Sequence, residues 1–421
     1  MKISACLIAK NEAKNISRCL NSIKGTADEI IVVDTGSTDN TVEIAESFGA
    51  KVFFYEWDNN FSNARNHALD KATGDWLIFL DADEYFGPNT QKQLRTVLER
   101  ISNNKTVDAV LCKIINIDAQ SGRVLSENPT IRIFRGKSGI RYEGAIHEQL
   151  LKHGRLPTSA NITDVSLIVY HTGYSADLMP EKIQRNLKIL EKDIENNIIT
   201  NLTYYYMSSM HYNLKNYDEA IKYALLSLAE PEMKNTIMAY MPYVLLVKSM
   251  LELKDKYSYE EIEKYIAEAI SNYPTHPEVW YIRALAKKAQ NQIPEAIESY
   301  RKAIELNKSY NLLLNNGFTG NLESSYYDLA VLSSSLGNNV NALEYYYEVL
   351  KINKRNFDAL AGLYKLIKDQ QPAEIIFFLS SIYKKENKED LAFLNTSMAK
   401  IGDKLLSNYY YEAYKKADPV N

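Results

Sequence analysis

The residues best suited to chemistry stand where an apolar run stops. Trp76-Leu77-Ile78-Phe79-Leu80 has the make-up of a buried strand and leads directly into Asp81-Ala82-Asp83-Glu84. Carboxylates this close repel one another unless a cation screens them. Hard divalent ions take carboxylate oxygens and often bridge to substrate phosphates. The cluster therefore points to a metal-assisted site for a phosphorylated ligand, against the plainer reading of a polar turn after a core strand. A second apolar run, Ile30-Ile31-Val32-Val33, ends in Asp34-Thr35-Gly36-Ser37-Thr38-Asp39, and a third passes through Ile8-Ala9 into Lys10-Asn11-Glu12. Asp34 is placed to accept hydrogen bonds from a nucleobase or ribose, whereas Asp39 is expected to cap the helix that follows. Three polar strand ends in neighbouring positions predict a pocket.

The elements that must position these groups follow from the spacing of apolar residues. In the first part of the chain, short apolar runs, including Val52-Phe53-Phe54, alternate with amphipathic stretches at Ile16 to Ile23 and Thr41 to Phe48. That alternation predicts parallel strands with crossover helices, an α/β sheet whose ligands bind at the C-terminal strand ends. Eleven of the 16 glycines precede residue 180, while 26 of the 31 tyrosines follow it, so the chain changes construction there. The expected domains are residues 1–178 and 179–421. The second has little strand signal and repeats a helical pattern anchored at Ala220, Ile262, Ala296 and Ala342, at separations of 42, 34 and 46 residues. The middle spacing equals the tetratricopeptide period, and Trp280, Ala284, Ala296, Tyr300 and Ala303 fall where that motif needs large and small packing residues. An all-α repeat array is expected, with insertions near Leu312 to Asn321 and closing helices between Ala373 and Tyr414.

Composition narrows the partners. Forty-nine Lys and Arg against 53 Asp and Glu leave a net charge of -4, which disfavours nucleic acid and anionic lipid. Cys6, Cys19 and Cys112 match neither a disulfide framework nor a zinc site, so free thiols and a cytoplasmic setting are expected. The N-terminal apolar run is too short for a signal peptide, and no stretch reaches membrane-spanning length.

Four motifs in order, Ile8-Ala9-Lys10-Asn11-Glu12, Val32 through Asp39, Phe61-Ser62-Asn63-Ala64-Arg65-Asn66 and Asp81-Ala82-Asp83-Glu84, resemble those of family-2 glycosyltransferases with the GT-A fold. Arg132-Ile133-Phe134-Arg135, Gly144-Ala145-Ile146-His147-Glu148 and Tyr170-His171-Thr172-Gly173-Tyr174, together with the helical repeats, are similar to one subgroup, which includes the sublancin-type peptide S-glycosyltransferases. The resemblance implies an α/β GT-A domain followed by an all-α tetratricopeptide-like domain, a UDP-sugar donor, and inverting transfer of a hexose to a cysteine or serine of a bacteriocin-type precursor. It also implies that Ala9, Glu12 and Asp34 hold the uridine, that Asp81, Ala82 and Asp83 hold the ribose and the metal-diphosphate, and that Arg65 lies near the diphosphate. A Mg2+ or Mn2+ ion would sit at Asp83, with His171 closing its coordination.

Several alternatives stay open at this level. Arg65 can pair with one of the neighbouring acids instead of a phosphate. His171 can be a hydrogen-bonded histidine at a domain junction. Glu148, beside His147, is the candidate for removing the acceptor's proton, against a role for both in fixing a loop or binding the acceptor. The acceptor can be a saccharide or surface polymer instead of a peptide. The repeats offer a concave surface for a peptide or for a homodimer, and a non-catalytic scaffold is the remaining reading.

Overall fold

A computed structural model of the chain describes residues 1–120, 122–160, 166–173, 179–310 and 316–417. Tyr174, the expected boundary at 178 and residues 312–315 of the expected insertion lie outside them.

The apolar runs become strands β1 (Ile3–Ala9), β2 (Glu29–Asp34), β3 (Lys51–Phe54) and β4 (Trp76–Phe79), joined through helices α1 (Ile16–Ile23), α2 (Thr41–Ser47) and α3 (Phe61–Lys71). Every residue of β4 and six of the seven in β1 are buried, as strands covered on both faces require. Helix α1 turns Ile16, Cys19, Leu20 and Ile23 inward, one side of a 3.6-residue repeat. Beyond β4 the chain forms β5 (Glu84–Phe86), α4 (Pro88–Ser102), β6 (Ala109–Ile117), β7 (Val124–Arg135), β8 (Ile140–Glu143), β9 (Gln149–Lys152), β10 (Ser159–Ala160) and β11 (Ile168–His171).

Among the described residues the main sheet runs β3-β2-β1-β4-β7-β6-β11-β5, with β10 added beside β6. Strands β1 to β4 are parallel, so the C-terminal ends of β1, β2 and β4 share one edge of the sheet. Strand β7 runs antiparallel between β4 and β6, and β11 runs parallel to β6 and antiparallel to β5. That mixed half brings His171 opposite Glu84 and beside Asn116. Strands β8 and β9 form a separate hairpin.

Helices α5 (Met179–Glu195), α6 (Thr203–Asn213), α7 (Tyr217–Ala229) and α8 (Met241–Glu252) belong to the same compact unit as the sheet, which spans Met1–Ala269 and Tyr310–Thr319. Helix α9 (Tyr259–Asn272) carries the chain to the second unit. This holds α10 (Pro277–Ala289), α11 (Ile293–Lys308), α12 (Leu322–Ser335), α13 (Asn339–Ile352), α14 (Phe357–Ile367), α15 (Pro372–Leu379), α16 (Lys388–Ile401) and α17 (Lys404–Lys416). Ala284, Ala296, Tyr300 and Ala303 are fully buried where α10 and α11 pack, and the Tyr300 hydroxyl donates to Asp328 at 2.5 Å. Small alanines let the helix axes approach while the aromatic fills the groove between them. No helix of the described residues is long and apolar enough to cross a membrane. All three cysteines are free and buried.

One close approach fixes the seam between the parallel and antiparallel halves. Gly136, just after β7, donates its amide to Asp75 O at 2.9 Å, and a Cβ placed on it would lie 2.0 Å from Gly74 O. Backbone cannot yield as a flexible side chain does, so Gly136→Ala is expected to destabilise the chain by ~3 kcal/mol or more. Thermal unfolding checks this, and a melting temperature within a degree of wild type would refute it.

Candidate active site

The shared edge of β1, β2 and β4 opens into a cavity of about 1010 Å³ within the first unit. Ile8, Ala9, Lys10, Glu12, Thr35 and residues 81–84 line its strand-end side. Phe61 and Arg65 of α3 and the loop residues Ile146, His147 and Glu148 form a second side, and α5, α6, Met238 and Met241 form the third. The sequence-predicted site residues Ala9, Glu12, Arg65, Asp81, Ala82, Asp83, His147, Glu148 and His171 all reach it. Asp34 is 2% exposed and is not among the cavity-lining residues, whereas the next residue, Thr35, is. Asp34 Oδ1 accepts from the Gly36 and Ser37 amides at 2.9 Å each, and its Oδ2 is buried without a partner. Asp39 accepts from the Thr41 amide at 3.0 Å and from Ala13 N at 3.1 Å, so it stabilises the entry to α2 and ties it to the loop after β1. The capping position itself belongs to Asn40.

The acid cluster is screened by protein cations. Arg65 Nη2 lies 2.8 Å from Asp81 Oδ1, and Arg65 Nε donates to Glu148 Oε1. Arg132 grips Glu84 with both Nε and Nη2 at 2.8 Å and approaches Asp81 Oδ2 at 3.6 Å. Burial alone would raise Asp81, but Arg65 and then Arg132 hold its carboxyl below the usual range. The Arg65 guanidinium lies against the Phe79 and Tyr142 rings, 4.9 and 5.3 Å from their centroids, and its Nη1 is buried without a partner. The ion-pair alternative for Arg65 is thus realised with two carboxylates at once. The charge of Glu84 is met by Arg132, so at that acid a protein cation does the screening. Among the described residues no group of three or more His, Cys, Asp and Glu is arranged to hold an ion by itself.

Asp83 faces different partners. His171 Nε2 is 3.5 Å from its Oδ1, and Lys182 Nζ of α5 is 3.4 Å from its Oδ2. Burial would raise the Asp83 carboxyl, but the His171 hydrogen bond and charge and the Lys182 ammonium hold it far below the carboxylate range. His171 is shifted the other way: burial opposes its charge, but Asp83 raises it above the ordinary histidine value. Its Nδ1 lies 2.7 Å from Asn116 Oδ1, which directs Nε2 toward Asp83.

The loop before β9 is pinned to α3, with Phe61 N donating to Ala145 O at 2.8 Å and Ser62 Oγ to Gly144 O at 2.6 Å. His147 adopts a left-handed φ of 51° and stacks on Tyr206 of α6, with ring centroids 3.5 Å apart and planes 5° from parallel. Arg132, Asn116, Lys182 and Tyr206 carry site geometry that the sequence reading gave no role. The Arg132-Ile133-Phe134-Arg135 motif was the available signal for the first, and the asparagine within Ile114-Ile115-Asn116-Ile117 for the second.

Residues 4–149 match the family described as Glycosyl transferase family 2. The sheet domain is a family 2 glycosyl transferase domain. Residues 277–310 and 323–356 of the same chain match tetratricopeptide repeats. The chain is 34% identical over 186 residues to a TPR repeat-containing protein of Synechococcus elongatus, covering 43% of this chain and 44% of that one. It is 28% identical over 287 residues to the prophage-derived glycosyltransferase SunS of Bacillus subtilis, covering 67% of this chain and 66% of that one. The chain thus spans less than two thirds of the length of these curated relatives. Among solved structures, glucosyl-3-phosphoglycerate synthase of Mycobacterium tuberculosis is 23% identical over 28% of this chain and 44% of that chain, with a TM-score of 0.22.

Burial pushes His147 down to about 4 from 6.5, so the folded glycosyl transferase domain keeps it neutral. The unfolded chain takes up that proton near 6.5 and the folded chain only near 4. Stability is therefore full above 6.5 and falls as the pH drops through this window, by roughly 3 kcal/mol in all. His147→Phe retains the stack on Tyr206 without the proton. It is expected to lose less stability than wild type between pH 7 and pH 4.5, as read by thermal unfolding at each pH. Parallel losses in the two proteins would count against this assignment.

Proposed function

We propose that this chain transfers a hexose from a UDP-sugar to a cysteine or serine side chain of a precursor peptide. The observation that carries the reading is one cavity with two unlike ends. Its strand-end side gathers Glu12, Thr35, Asp81 and Asp83, suited to a nucleotide, whereas its other sides present Trp57, Phe61, Tyr206, Met210, Met238 and Met241, suited to the apolar and backbone surface of a peptide. The named transferase SunS among the relatives accords with this.

A divalent ion fits the residues present. Asp83 and His171 converge over Gly173, where a Cβ would lie 2.3 Å from Asp83 Oδ2 and 2.4 Å from His171 Nε2, and Asn116 already orients the imidazole. Asp83 and His171 would hold Mg2+ or Mn2+, which when bound supplies positive charge to the donor's diphosphate. Asp34 Oδ2, buried without a partner next to the cavity-lining Thr35, has the capacity to accept a hydrogen bond from a donor N–H or O–H that reaches it. Arg65 keeps Asp81 and Glu148 at fixed positions. Glu148 takes the acceptor's proton, with one oxygen held by Arg65 Nε while its carboxylate faces the cavity.

Titration calorimetry is expected to show UDP binding that tightens with added Mn2+, and Asp83→Asn is expected to abolish that response. If the variant responded as wild type does, the ion would have to be placed elsewhere. Glu148→Gln is expected to leave UDP affinity intact and to lower kcat for a serine peptide on the order of 10²–10⁴-fold. The loss should be smaller for a cysteine peptide, whose thiol ionises near pH 8.5. An increase in KM at unchanged kcat would make Glu148 an acceptor-binding residue, and transfer to a saccharide but no peptide would favour the polymer acceptor.

A further inference from the structure

Helix α5 places two cations, Lys182 and Arg185, on the cavity wall three residues apart, on neighbouring turns of one face. Their situation differs from that of Arg65 and Arg132. Those two are largely buried, and each meets two carboxylates, so their charge is already balanced. Arg185 is exposed, and among the described residues no carboxylate lies within ion-pair distance of it. Its guanidinium rests over the Phe61 ring, 5.1 Å from the centroid, and its Nε and Nη2 donate to the neutral Asn186 Oδ1 at 3.1 and 3.0 Å. An aromatic face and an amide orient a guanidinium without neutralising it. Phe61 is itself fixed by the hydrogen bond its amide donates to Ala145 O at 2.8 Å and by an edge contact with Trp57, ring centroids 4.8 Å apart. Lys182 reaches Asp83 and Gly173 O, at 3.4 Å each.

The facing wall is acidic. Lys182, beside Asp83, sets the start of α5 against the proposed donor ligands, and Arg185 follows one turn later on the same cavity lining with its charge not yet met.

We propose that Arg185, with Lys182 beside it, binds the donor's diphosphate and stabilises it as it leaves. This rests on the UDP-sugar reading above. In the transfer, the acceptor sulfur or oxygen forms a bond to the anomeric carbon and its proton passes to Glu148. The bond from that carbon to the phosphate oxygen breaks, and its electron pair stays on UDP. The charge gained by the terminal phosphate is met by the guanidinium fork, whose paired N–H groups match a phosphate edge. Arg185 touches the leaving group and is in that sense catalytic.

The test uses the full chain, with UDP and uridine as calorimetric probes and Mn2+ held constant. Arg185→Ala is expected to weaken UDP binding about 10–100-fold while leaving uridine binding and the melting temperature unchanged, as the loss of charge-assisted hydrogen bonds to phosphate alone requires. Arg185→Lys should recover part of the loss, because the charge returns without the fork. Lys182→Gln should weaken UDP binding in the same direction. Wild-type UDP affinity in Arg185→Ala would overturn the proposal while leaving the donor reading intact, and a raised acceptor KM in that variant would reassign Arg185 to the peptide. Absence of UDP binding by the wild-type chain would overturn both.

Discussion

The constraint on which the site depends is charge balance at the end of β4. Asp81, Asp83 and Glu84 leave a fully buried strand within four residues of one another, with Asp83 and Glu84 buried and Asp81 partly so. Carboxylates in such a place remain ionised only with partners, and removing one partner from a buried pair typically costs 3–5 kcal/mol. The fold meets this demand from distant parts of the chain. Arg65 comes from α3, Arg132 from the antiparallel strand β7, His171 from β11 and Lys182 from α5. Each pairing also positions an element. Arg65 joins β4, α3 and the Glu148 loop through one guanidinium, so the loop carrying the proposed base is registered against the strand carrying the proposed donor ligands.

A second tie extends this registration to the helices. His147 and Glu148 are adjacent, but one faces α6 and the other Arg65. The His147–Tyr206 stack and the packing of Ile146 against Ile183, Met207 and Met210 attach the loop to α5 and α6. The left-handed backbone at His147 lets consecutive side chains serve these two directions, and the packing on either side offsets the cost of that conformation. Helices of the same compact unit thus form one wall of the cavity, and the aromatic and methionine surface they present has a fixed distance from the acids.

The parts of this arrangement that depend on local pattern were legible in the sequence. The apolar runs at Ile30–Val33 and Trp76–Leu80 fall within or across β2 and β4, the Ile16–Ile23 periodicity is α1, and the residues Ala284 to Ala303 pack as the repeat spacing required. The acid cluster marked the cavity because an abrupt change from buried strand to carboxylates is visible within six residues. Its partners were less visible. Arg132 lies 48 residues beyond Glu84, in a strand that also contains Pro129 and polar Asn128 and Glu127, so β7 lacks the alternation that announces a strand. Lys182 lies 99 residues beyond Asp83, on a helix whose surface charges look like any solvated face. Ion pairing across such separations is set by sheet order, and the mixed order β4-β7-β6-β11-β5 is not encoded in any one window of sequence.

That difference bears on how the site can vary. Charges at the strand ends are mutually dependent, since replacing Arg65 would leave both Asp81 and Glu148 without their shared partner in a poorly solvated place. Apart from Lys182, which pairs with Asp83, the described residues of the helical wall carry no such obligation. Met210, Met238 and Met241 contribute adaptable apolar surface, and a change in one alters shape without stranding a charge. Arg185 stands between these regimes, since it lines the cavity from α5 over the Phe61 ring and, among the described residues, no carboxylate restrains it. A chain built in this way can keep its donor end constant through electrostatic coupling while its acceptor end changes residue by residue, and the boundary between the two runs along α5.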